Sequence, residues 1–171
     1  MGNNIFLSPK ETEAFGHALK LISDSLDNLK EVFLQMQPEI LTRHGLKRTL
    51  TELCDIVRKD YLLAADFIFE GNDKRIDQSY EMALYGIAIE LISNVIKHAN
   101  ATLLSVQITQ NENQIILTLK DNGQGFEETH TSPGENSGLT LIRTQLKTYK
   151  GWMAISSEPG KGSEVVVELN W

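Results

Sequence analysis

Over residues 81–98 the chain is apolar on nearly every face of a helix. Leu84, Ile87, Ala88, Ile89, Leu91, Ile92, Val95 and Ile96 fall all round the axis at about 100° per residue. A helix of this kind has to be buried, so the rest of the chain must wrap it. Yet Glu90, Asn94 and Lys97 lie within about 60° of one another on one face, with His98 at the edge. A buried polar group left unpaired costs about 1–3 kcal/mol. The stripe is therefore either the solvent side of the helix, with Glu90 and Asn94 as an i,i+4 pair, or the wall of a cleft. In the second case a carboxylate, an amide oxygen and a cation face one space. Such oxygen donors suit Mg2+, which takes one or two protein oxygens plus substrate phosphates.

The elements around this helix follow from local pattern. Ser8, Pro9 and Lys10 read as an N-cap, a proline at the first helical position and the helix start. Apolar residues then recur at Phe15, Leu19, Ile22, Leu26, Leu29, Phe33 and Met36, spaced 4, 3, 4, 3, 4, 3. This a/d seam predicts one helix of a bundle, dimeric in the full protein, ending at Pro38. Residues 1–8 read as linker. After a connector, a second helix is expected from near Gly45. Residues 65–71 read as a strand with Phe67 and Phe69 on one face, and 77–98 as the third helix. Residues 103–109 and 114–120 flank a polar turn and predict an antiparallel hairpin. A helix over 138–150 and strands over 152–158 and 164–170, joined by the turn PGKG, complete the chain. Helices on one face of a mostly antiparallel sheet of four or five strands make an α+β, two-layer sandwich rather than a doubly wound fold.

Between the hairpin and the fourth helix lies DNGQGF, residues 121–126. By composition alone it is a turn. Its company changes the reading. ELISNVIKHANA (90–101), DNGQGF and NSGLTLIRTQL (136–146) resemble, in this order, the N, G1 and G2 boxes of the GHKL ATPase superfamily. They are most similar to the catalytic domain of sensor histidine kinases, in the style of the nitrate/nitrite-sensor-like group with its short lid. The resemblance covers roughly residues 38–171. It implies the Bergerat ATP-binding fold, with ATP and Mg2+ as cofactors.

The resemblance also implies roles for particular residues. Asn94 stands at the Mg2+ ligand, and Glu90 at the acid that orients or deprotonates the attacking group. Lys97 and His98 stand where residues of the N box approach the phosphates. Asp121 stands at the carboxylate that accepts the adenine amino proton, a charge-assisted bond of ~1.5–3 kcal/mol. Gly123 and Gly125 leave room for base and ribose. Gly138 and Leu139 open a helix whose N-terminus can hold phosphate oxygens. Ser163 stands near the adenine, backing Asp121 through a water. One departure is Asn136-Ser137-Gly138-Leu139, where the G2 box usually reads Gly-x-Gly-Leu.

The seam helix over 9–37 then resembles the second helix of the kinase dimerisation domain. The family's phosphoacceptor is a His followed by an acid. Here His17, His44, His98 and His130 are followed by Ala18, Gly45, Ala99 and Thr131, so the acceptor helix is expected to be absent and this chain unable to autophosphorylate. In the full protein the resemblance implies transfer of the γ-phosphate to that His and on to the Asp of a response-regulator receiver domain. Two alternatives stand beside it: a GHKL serine kinase of the anti-sigma type, and a degenerate GHKL fold kept as an interaction module.

Composition prunes other classes. The 171 residues carry a net charge of −7 and no dense basic run, which argues against a nucleic-acid partner. No apolar run approaches the ~20 residues of a membrane span, so no membrane contact is expected from this segment; an anchored parent protein is compatible with this. Cys54 is the single cysteine. Without a disulfide frame or signal peptide the expected setting is cytoplasmic. PGKGS (159–163) lacks the upstream glycine of a P-loop, and the histidines have no zinc spacing.

Overall fold

A computed structural model describes residues 38–72, 74–126 and 138–171. The seam helix expected over 9–37, with His17, lies outside them, as do His130, Asn136 and Ser137. The described elements belong to one compact unit, Gln37–Trp171. In chain order they are α1 (Pro38–Asp60), β1 (Ala64–Gly71), α2 (Gln78–Asn94) continuing as a π-helical turn (Val95–Ala99), β2 (Leu103–Gln110), β3 (Gln114–Asp121), α3 (Gly138–Leu146), a 3-10 turn (Lys147–Tyr149), β4 (Trp152–Glu158) and β5 (Gly162–Asn170).

The five strands form one sheet in the order β1-β2-β3-β5-β4. Only β1 and β2 run parallel; the other pairs are antiparallel. A parallel pair needs a long crossover, and α2 supplies it. Alternation along the strands decides which face is covered. Val106, Leu117 and Val167 are buried, while their neighbours Gln107, Thr118 and Val166 are only half-buried. The helices cover one face: α1 touches β1 and α2, α2 touches β3, and α3 touches α2 and β4. The α+β two-layer sandwich expected from the sequence is the observed architecture.

Three boundaries differ from expectation. The segment after Pro38 is helical rather than a connector. Proline suits the first helical position, Glu39 pairs with Arg43 at 2.8 Å, and Leu41 is 1% exposed. At Gly45, with φ 79° and ψ 172°, the backbone leaves helical geometry, so two helical stretches meet at a kink and the second starts near Gly45 as expected. The third helix stops being α-helical at Asn94, and its last turn widens to π geometry before Asn100 closes it in the left-handed conformation. The fourth helix tightens to 3-10 after Leu146.

The start of α2 is held firmly. The Asp77 carboxylate caps it by accepting from the Ser79 N–H at 2.8 Å. Inside the first turn Glu81 is 2% exposed. It accepts from Arg75 Nε and Nη2 at 2.6 Å each, the bidentate pairing that a buried carboxylate requires. Arg75 also reaches the carbonyls of Leu41 and Thr42 at 3.4 Å. It thereby ties α2 to the turn of α1 that precedes the kink.

Candidate functional site

Along α2, Met82, Gly86, Glu90 and Asn94 follow at intervals of four. The first two are exposed and the last two half-buried. The row therefore runs from solvent into the molecule. Among the described residues no hydrogen bond joins Glu90 to Asn94. The stripe opens into a cavity of about 480 Å³, within the size range of small-molecule sites.

The cavity gathers seven of the ten residues named from the sequence: Asn94, His98, Asp121, Gly125, Gly138, Leu139 and Ser163. The other three stand beside it. Glu90 abuts Gly138, its carboxylate filling the space where a Cβ on that glycine would sit. Only glycine allows the N-terminus of α3 so close, and a carboxylate there faces the positive end of the helix. Lys97 is exposed in the π turn. Gly123 is buried.

Asp121 ends β3 and is 5% exposed. Its Oδ1 accepts from the Gly123 N–H at 2.7 Å. Its Oδ2 accepts from the Ser163 hydroxyl. The two residues are cross-strand partners in the β3–β5 register. Ser163 thus contacts Asp121 directly and not through a water. Each carboxylate oxygen has two acceptor positions, so Asp121 keeps capacity for a donor in the cavity.

The glycines of DNGQGF are explained differently from expectation. A Cβ on Gly123 would run into the Ala99 carbonyl, 2.8 Å from its carbon. A Cβ on Gly125, where φ is +61°, would run into the Glu158 carbonyl, 2.8 Å from its carbon, and lie 2.9 Å from the Gly162 carbonyl oxygen. Protein backbone, rather than an open space, stands at those two positions.

Several residues of the site escaped the sequence reading. Gly162 has φ +83° and faces the Asp121 carbonyl; its PGKG setting marked it only as a turn. Asn122 staples the start of β2, its Oδ1 accepting from the N–H groups of Thr102 at 2.9 Å and Leu103 at 2.8 Å. Ser157 Oγ accepts from the Phe126 N–H at 2.9 Å. Leu91, Val95, Leu119 and Val165 form an apolar wall. In sequence these four look like any core residues, and no signal separates wall from core.

Among the described residues, no cluster of three or more His, Cys, Asp or Glu could hold a metal by itself. The half-buried Asn94 carboxamide lines the cavity and has no hydrogen-bond partner among the described residues. An amide oxygen lining the cavity fits Mg2+, which takes one or two protein oxygens and keeps most of its coordination for water and phosphate. Also among the described residues, no helix is long and apolar enough to cross a membrane.

Comparison with known proteins agrees with this geometry. The family model for histidine kinase-, DNA gyrase B- and HSP90-like ATPases matches residues 79–171. The chain is 25% identical over 150 residues to the signal transduction histidine-protein kinase/phosphatase DegS of Brevibacillus brevis, covering 88% of this chain and 39% of that protein. It is 28% identical over 149 residues to the sensor histidine kinase LiaS of Bacillus subtilis, covering 87% and 41%. With the nitrate/nitrite sensor protein NarX of Escherichia coli it shares 28% identity over 127 residues, covering 74% and 21%. The chain therefore spans less than half the length of these relatives. Among solved structures, the blue-light activated histidine kinase of Erythrobacter litoralis aligns with a TM-score of 0.61 at 18% identity, over 88% of this chain and 49% of that one. Its histidine kinase domain aligns with a TM-score of 0.55 over 73% and 62%. That likeness speaks to the fold. The family match spans every candidate site residue from Glu90 to Ser163, and the chain belongs to the histidine kinase-, DNA gyrase B- and HSP90-like ATPase family.

Proposed function

We propose that this chain is the cytoplasmic, ATP-binding catalytic part of a two-component sensor histidine kinase. The observation that carries the reading is Asp121: a buried carboxylate, held on both oxygens, lining the same cavity as Asn94, His98 and the start of α3. A carboxylate oriented in this way accepts the 6-amino proton of adenine. Guanine presents an oxo group at that position, so acceptor would face acceptor. The apolar wall of Leu91, Val95, Leu119 and Val165 suits a flat base.

Gly138 and Leu139 begin α3, whose unpaired N–H groups favour phosphate oxygens. Lys97 and His98 add donors from the π turn. Asn94 would hold Mg2+ through its side-chain oxygen. When bound, that ion neutralises charge on the phosphates and orients them for in-line transfer. Glu90 stands at the N-terminus of α3, where it orients or deprotonates an incoming imidazole. In the full protein the γ-phosphate passes to a His on a first dimerisation helix and then to an Asp of a response-regulator receiver domain. The seam at 15–36 supports homodimerisation of that protein. No His of this chain is followed by an acid, so this chain binds Mg-ATP without phosphorylating itself.

Calorimetric titration of the 171-residue chain tests the reading. ATP binding that strengthens with Mg2+ is expected, and Asp121→Asn should weaken it about ten- to a hundredfold, the worth of one charge-assisted bond. Incubation with γ-labelled ATP should leave no acid-labile, base-stable label. A labelled His overturns the second statement. No binding at millimolar nucleotide overturns the first and favours an interaction module; transfer to a Ser of a partner protein favours a serine kinase of the anti-sigma type.

A further inference from the structure

Gln124 of DNGQGF has no task in the nucleotide reading. It is exposed, yet it joins three segments. Its backbone N–H donates to the Ala99 carbonyl at 2.7 Å. Its side-chain Nε2 donates to the His98 carbonyl, also at 2.7 Å. Its own carbonyl accepts from the Gly160 N–H at 2.6 Å, in the β4–β5 turn. The two main-chain bonds are open to any residue except proline. The bond to His98 requires a side-chain donor of glutamine's reach.

His98 and Ala99 are the last residues of the π turn. Carbonyls at a helix end lack intrahelical donors, and here one residue from another element satisfies both. π geometry is rare and poorer than α geometry, so an outside tether helps to keep the turn wide. The width matters for the site. It sets how Lys97 and His98 project relative to Asn94, which ends the regular helix one residue before the turn begins. His98 and Gln124 both line the cavity.

We propose that Gln124 is a positioning residue for the phosphate-binding side of the cavity: through the His98 carbonyl it holds the π turn in the form that points Lys97 and His98 at bound phosphates. This rests on the reading of the cavity as an Mg-ATP site. The Gln124 side chain takes no part in holding Asp121, which is bonded by the Gly123 N–H and the Ser163 hydroxyl.

The test compares two ligands on the full 171-residue chain. Gln124→Met keeps the length and removes the donor; Gln124→Glu puts an acceptor against a carbonyl. Affinities for Mg-ATP and for adenosine are measured by calorimetry. Both variants should bind Mg-ATP more weakly, by about fivefold for Gln124→Met, which is the worth of one neutral hydrogen bond, and by more for Gln124→Glu. Adenosine affinity should be unchanged in both. Equal losses for the two ligands would mean a general weakening of the fold and overturn the proposal, as would unchanged Mg-ATP affinity. If the native chain binds adenosine and Mg-ATP equally well, the positioning role falls while the nucleotide pocket stands. If it binds neither, both fall.

Discussion

Asp121 is made useful by what holds it. An isolated Asp before Asn-Gly is a turn residue. Here the β3–β5 register sets Ser163 opposite it, and a tight turn brings the Gly123 N–H back to its other oxygen. The identity of the acid was legible in DNGQGF; its direct Ser163 partner was not, because the two are 42 positions apart and only strand pairing joins them. Cys54 illustrates burial acting on a side chain outside the site. It is 1% exposed, and desolvation pushes its thiol up from 9.0 to about 12, against a smaller lowering by Arg58. A pKa raised in the folded state means that folding is favoured below the unfolded value and loses that advantage as pH rises from 9 towards 12. Tyr85, raised from 10.0 to about 12 by burial, acts in the same direction. Urea unfolding at pH 8 and pH 10.5 should therefore show an alkaline loss of stability. Cys54→Ala should make that loss shallower without abolishing it.

At the scale of elements, helix ends carry the functional weight. α2 was legible as a helix from its all-round apolar pattern, and its polar row as something unusual. The π turn at its end was not legible, since nothing local in VIKHA distinguishes five residues of π from five of α. Its carbonyls meet donors from Gln124, which lies 26 residues away from His98. The α1 kink has a local cause and a distant fit. Gly45 adopts a conformation open essentially to glycine alone, and a Cβ there would lie 2.8 Å from the Arg75 Cδ. Gly45→Ala should cost about 1–3 kcal/mol in urea unfolding. It should also disturb the Arg75–Glu81 pair at the start of α2. A cost near zero would mean that the kink is not strained.

At the scale of the molecule, residues 38–171 contain every described element and a continuous core under the sheet. This part should fold by itself. A chain starting at residue 38 should unfold cooperatively in urea and bind Mg-ATP with the affinity of the full 171 residues. Light scattering should find it monomeric, while the full chain, with its seam at 15–36, should show a concentration-dependent mass. Loss of cooperative unfolding in the shortened chain would show that the core depends on the first segment.

The sequence by itself determined the fold class, the five strands and the main helices among the described residues, and the family, because these depend on period, turn chemistry and the order of three short motifs. Hydrophobic periodicity is local, and a helix or strand that must bury one face announces it in a few residues. Tertiary structure alone decided how the site is supported: that Ser163 meets Asp121 directly, that Gly123 and Gly125 yield to the Ala99 and Glu158 carbonyls rather than to empty space, that Glu90 lies against Gly138, and that Gln124 bonds the last two carbonyls of the π turn. Each of these is a contact between residues distant in sequence, set by strand register and by helices laid across a sheet, and neither propensity nor spacing along one chain encodes that distance.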